Sequence, residues 1–95
     1  MYGLKGSLIQ EVQALAEKHH ITTVILFGSR ARGDYKPHSD IDLAVHGGDI
    51  DRFALDLDEE TSTLLRYDMV NLDRPVQQEL LQSIQKEGRL VYEKV

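Results

Sequence analysis

Apolar side chains recur at Leu4, Leu8, Val12, Leu15 and Ala16, the spacing that gives a helix one buried stripe. The pattern predicts an amphipathic helix over 4–19. His19 and His20 fall at its C-terminal end, where imidazolium charge suits the helix dipole. The period then changes. Ile21 to Phe27 is a β-branched and apolar run that predicts a buried strand, and Gly28 stops it. Asp40 to Val45 alternates, with Asp40, Asp42 and Ala44 on one side and Ile41, Leu43 and Val45 on the other. That second strand ends at the Gly47-Gly48 turn. Asp49 suits an N-cap for a helix whose apolar stripe is Ile50, Phe53, Ala54, Leu57 and Leu64. Residues 66–72 predict a third strand. Pro75 suits the first position of a last helix, with Val76, Leu80, Leu81 and Ile84 on its apolar side and Gly88 as its stop. Leu90-Val91-Tyr92 fits a short edge strand. The order helix, strand, loop, strand, helix, strand, helix, strand predicts one α+β domain over residues 1–95, in two layers with helices packed on a sheet. The directions of the strands do not follow from the pattern.

Composition narrows the setting. A chain of 95 residues buries roughly 60–65% of its unfolded surface, enough for one modest core. The absence of cysteine excludes disulfides and thiolate metal sites. No secretory apolar run opens the chain, and Val24-Ile25-Leu26-Phe27 is far too short to span a bilayer. A soluble, cytoplasmic protein without membrane contact is the expectation. The net charge of -5 is concentrated in one place: Asp49 to Glu60 holds six acids against Arg52, and the rest of the chain is balanced. No basic face of the kind used by nucleic-acid binders is visible, so direct nucleic-acid contact is not expected. The acidic run reads as the solvated side of a helix or, alternatively, as a docking surface for a basic partner.

Against this background the carboxylates at Asp40 and Asp42 stand out. On a strand, residues two apart project from one face. Such a pair can share a divalent metal or clamp two, and hard oxygen ligands suit Mg²⁺ or Mn²⁺. Without a cation the two charges raise each other's pKa. Aspartate is also a poor strand former, so the pair is either exposed at a strand start or bound to metal. Asp68, inside the third strand, is a further misplaced acid. If that strand lies beside the one carrying Asp40 and Asp42, three carboxylates can converge, one of them able to activate a hydroxyl.

The loop Gly28-Ser29-Arg30-Ala31-Arg32-Gly33 precedes the acids. Gly28 lets the backbone approach a ligand, and Ser29 offers a hydroxyl and an N–H. A short helix opening over 30–34 would aim further N–H groups at the same place, and Arg32 can give a bidentate contact to phosphate. The two arginines point apart on a helical turn, so one reaches the ligand and Arg30 is expected at the surface. Asp34 stands where a Walker A loop needs lysine. Tyr35, Lys36 and His38 lie between the two halves of the motif and read as ordinary loop residues or, alternatively, as contacts to nucleotide or acceptor.

With Gly28-Ser29, Arg32-Gly33, Ser39-Asp40-x-Asp42-Leu43 and Asp68 together, the chain resembles the nucleotidyltransferase superfamily that includes DNA polymerase β, and within it the minimal nucleotidyltransferase (MNT) group. The resemblance implies a mixed sheet flanked by helices. It implies that Asp40, Asp42 and Asp68 are catalytic and metal-binding, holding two Mg²⁺ ions, with Mn²⁺ as a substitute. Gly28, Ser29, Arg32 and Ser39 would bind the nucleotide, ATP. A hydroxyl would attack the α-phosphorus and release pyrophosphate. The minimal group is similar to the antitoxin half of HEPN/MNT toxin–antitoxin pairs, which implies a HEPN ribonuclease toxin as partner in a hetero-oligomer and AMP transfer to one of its tyrosines. Two other readings stay open: nucleotide transfer to a small molecule such as an aminoglycoside, and a non-catalytic module that inhibits its partner by binding.

Overall fold

The computed structural model describes residues 2–95. Eight elements follow one another: α1 (Gly6–Lys18), β1 (Thr23–Phe27), α2 (Gly28–Arg32), β2 (Ile41–His46), α3 (Ile50–Glu60), β3 (Tyr67–Asn71), α4 (Gln78–Glu87) and β4 (Arg89–Glu93). The four strands form one sheet in the order β3-β2-β1-β4. β1 runs antiparallel to both neighbours, while β2 and β3 are parallel. The sheet is therefore mixed, and the parallel pair needs α3 as its crossover.

The helices divide between both faces of the sheet. Leu8, Val12 and Ala16 of α1 and Ile50, Phe53 and Leu57 of α3 pack with Val24, Leu26, Ile41, Leu43 and Val45. On the opposite face Ile84 and Leu80 of α4 meet Phe27, Ala44 and Ile25. The expectation of two layers is corrected to helices on either side of the sheet. The signal lay in β1, where side chains of both parities are apolar, as a strand covered on both faces requires.

Local chemistry sets most boundaries. Asp49 caps α3, its side chain accepting from the Arg52 N–H at 3.2 Å. The helix then stops at Glu60 rather than running on to Leu64. The Thr61 hydroxyl donates to the Leu57 carbonyl at 2.5 Å, and Leu64 is fully exposed instead of lying on a buried stripe. α4 starts at Gln78, three residues beyond Pro75. Its C-cap Gly88 donates to the Ile84 carbonyl at 2.8 Å and leaves no room for a Cβ against that carbonyl and Ile25. His19 caps α1 and reaches across to Asp56 of α3 at 2.6 Å. Among the described residues, no helix is long and apolar enough to cross a membrane.

Candidate active site

Strand register brings the predicted acids together. Phe27, the last residue of β1, lies opposite Asp42, and Asp42 lies opposite Asp68. Paired residues share a face, so the end of β1, Asp42 and Asp68 form a row across one end of the sheet. Asp40 is two residues upstream of Asp42 and is exposed. The Asp42 carboxyl is half-buried and hydrogen-bonds to Asp68. Burial, then the charges of Asp68 and Asp40, then that hydrogen bond push its pKa up to about 6, against a partly offsetting pull from Arg32. Crowded carboxylates behave in this way when nothing positive lies between them.

Gly28 closes the row on the β1 side. Its φ is +73°, and a Cβ there would run into the Asp42 carboxylate. Both the left-handed backbone and the close approach demand glycine. α2 begins at Gly28, earlier than the sequence pattern places it. The Ser29 carbonyl accepts from the N–H groups of Gly33 at 2.9 Å and Asp34 at 3.1 Å, and Gly33 ends the turn at φ 93°.

The two arginines take different roles. Arg30, expected at the surface, is instead 2% exposed. Its guanidinium donates to the Ser39 carbonyl at 3.0 and 3.2 Å, to Tyr2 at 3.3 Å, to Gly3 at 3.4 Å and to Pro37 at 3.5 Å. The Tyr35 ring lies 4.9 Å away. Its planar fork of donors thus ties α2 to the loop entering Asp40 and to the N-terminal turn. Arg32 is exposed, held by Asp34 at 3.2 Å and Glu87 at 3.0 Å, and these contacts raise its already high pKa. Neither acid stands out in the sequence. The Ser39 hydroxyl accepts from the Lys36 N–H at 2.8 Å, which braces the loop, and Lys36 and His38 are exposed.

Among the described residues, no three His, Cys, Asp or Glu side chains form a ready-made metal cage. Magnesium is usually held by one or two carboxylates plus substrate phosphates. Asp42 and Asp68 in mutual contact, with the Asp40 charge close enough to perturb Asp42, are a hard-oxygen donor set that fits this mode.

Comparison with known proteins agrees with the geometry. The family described as "Polymerase beta, Nucleotidyltransferase" matches residues 10–95. A "Putative protein adenylyltransferase" of Methanocaldococcus jannaschii is 39% identical over 93 residues, covering 85% of this chain and 90% of that protein. The fold is similar to a chain in a crystal structure of a toxin–antitoxin with AMP-PNP (TM-score 0.72, 23% identity, 90% of this chain and 73% of that one). It is also similar to a chain in a mutant of the toxin–antitoxin MntA-HpeT (TM-score 0.68, 25% identity, 90% and 72%).

Proposed function

The chain belongs to the polymerase β nucleotidyltransferase family, and from that premise we propose that it is an antitoxin that transfers AMP from ATP to a tyrosine hydroxyl of a HEPN-type toxin. The observation that carries the reading is the row of Gly28, Asp42 and Asp68 across one end of the sheet. It sets a glycine-opened phosphate loop beside two touching carboxylates. The 39% identical adenylyltransferase and the toxin–antitoxin neighbours support the choice of reaction and partner.

In this reading Asp40, Asp42 and Asp68 hold magnesium, which when bound neutralises charge on the triphosphate. Gly28 and Ser29 admit the phosphates, Arg32 contacts them, and Ser39 fixes the loop beside them. The tyrosine oxygen forms a bond to the α-phosphorus while the bond to the β-phosphate bridging oxygen breaks. Pyrophosphate leaves with that electron pair, and the phenolic proton passes to an Asp68 carboxylate oxygen. Positioning of the two reactants supplies much of the rate.

The test is incubation with α-labelled ATP, Mg²⁺ and the product of the adjacent reading frame. Label is expected on that protein and is expected to vanish with Asp40→Ala and with Asp42→Ala. Inhibition of the partner that persists in both variants, with no label transferred, would make the chain a binding module instead.

A further inference from the structure

The open side of β3 carries a groove of about 560 Å³ that runs along Thr63, Leu64, Arg66, Asp68, Asp40 and Asp58. We propose that this groove docks the acceptor polypeptide, with an apolar side chain of the partner covering Leu64 and a basic residue facing Asp58. The assignment rests on the transfer reading above and adds the direction from which the acceptor arrives.

Three observations carry it. The first is the order of parts across the sheet. The phosphate loop leaves β1, Asp42 sits on β2 and Asp68 on β3. In-line displacement puts attacking and leaving oxygens on opposite sides of the phosphorus. With the leaving pyrophosphate on the Gly28–Ser29 side, the hydroxyl must enter over β3, where the groove opens.

The second is Leu64. Its side chain is wholly in water, yet the turn that presents it is pinned. Ser62 donates from its N–H and its hydroxyl to the Glu11 carboxylate at 2.9 and 2.8 Å. The Thr61 hydroxyl meets the Tyr67 hydroxyl at 2.8 Å, and the Leu65 N–H donates to the Thr63 hydroxyl at 3.1 Å. Slack in the chain therefore does not explain the exposure. Held out in this groove by a fixed turn, the side chain is available to an apolar group of a partner.

The third concerns what fits. β3 is an edge strand, and in its parallel register with β2 the backbone groups of Tyr67 and Met69 point outward. An extended peptide can bond to such an edge. The groove's acids, Asp40, Asp58 and Asp68, outnumber its one cation, Arg66, and Glu59 is exposed beside Asp58 while Glu60 pairs with Lys18 at 3.9 Å, so the complementary segment is basic. Those acids repel the phosphates of a nucleic acid, and a small polycation would leave Leu64 uncovered. A basic polypeptide matches all three features.

The experiment compares wild type with Leu64→Asp and with Leu90→Asp. Leu90 is equally apolar and 59% exposed, but lies on β4 at the far edge of the sheet. KM for the acceptor protein and KM for ATP are measured in the label-transfer assay. Leu64→Asp is expected to raise the acceptor KM by about tenfold or more, the loss of one buried leucine contact, with ATP affinity and melting temperature as in wild type. Leu90→Asp is expected to keep both KM values of wild type. An acceptor KM unchanged in Leu64→Asp, or raised only in Leu90→Asp, overturns the docking assignment while leaving the transfer reading intact. No label on the protein from wild type overturns the transfer reading, and label on an aminoglycoside in its place overturns both.

Discussion

Replacing Asp42 by asparagine should stabilise the protein while removing its activity. The Asp42 carboxyl titrates at about 6 instead of 3.8 because it is half-buried and faces Asp68 and Asp40. At 1.36 kcal/mol for each pKa unit that gap corresponds to about 3 kcal/mol. The side chain still touches solvent, and screening reduces the figure to about 1–2 kcal/mol. The sign follows from proton binding. Between pH 3.8 and 6 the folded protein holds a proton that the unfolded chain has released, so stability falls as pH rises through this window. Above it the full penalty of the ionised carboxylate is present, and below it the penalty is gone. The amide of Asp42→Asn keeps the shape without the charge, so thermal melts at pH 8 should show a Tm gain of about 4–10 °C for a domain of this size. The gain should shrink toward zero near pH 4. Adding Mg²⁺ at pH 8 should raise the wild-type Tm and leave the variant nearly unmoved, because only the wild type has the repulsion for a cation to relieve. Label transfer should be lost. A variant less stable than wild type at pH 8, or equally improved at pH 4 and pH 8, would refute the argument that crowded charge sets the energy of this site.

Other substitutions probe the surrounding parts. Gly28→Ala should lower stability by about 1–2 kcal/mol from the left-handed backbone alone and should weaken ATP binding in titration calorimetry as the new Cβ displaces Asp42; wild-type affinity in a folded variant would contradict it. Arg30→Met should cost at least about 1–3 kcal/mol in urea unfolding, the penalty of leaving an inward carbonyl without its donor, with Arg30→Lys falling between; a loss below about 1 kcal/mol would make those bonds incidental. Arg32→Ala should raise the ATP Kd by about tenfold, the value of one charge-assisted phosphate contact, and should move the Asp42 titration upward by removing the cation that holds it down; an unmoved Asp42 titration by NMR would place that cation's influence elsewhere.

Features with a local signal are legible in the sequence. The stripe of α1, the Asp49 cap, the apolar run of β1 and the Gly88 stop each depend on residues a few positions apart, and each is present in the fold. The pairing of Asp42 with Asp68 depends on which strands are neighbours, so the pattern offers it only as a condition. Arg30 defies expectation because a charged residue in a loop is ordinarily solvated; nothing in its own neighbourhood announces that the carbonyls of Tyr2 and Gly3 will fold over it. Leu64 falls on a buried stripe in the pattern because its spacing from Leu57 suits a helix. The hydroxyl of Thr61 that ends the helix by bonding back to Leu57 carries no strong stop signal. Asp34 and Glu87, which hold Arg32, are scattered acids until the fold brings them together.

The strand order β3-β2-β1-β4 also bears on how the molecule is made. The parallel pair bearing the acids can assemble as soon as residues up to 71 are synthesised, whereas β1 gains its second neighbour only when residues 89–93 arrive. Until then a nascent chain exposes the flank of its most apolar strand while its acidic end is already formed. Closure over so long a stretch is slow, and an unprotected strand of that kind invites pairing with the wrong neighbour. Shortened versions that stop before Arg89 should accordingly be lost to aggregation in the cell, even though every residue assigned to chemistry would still be present.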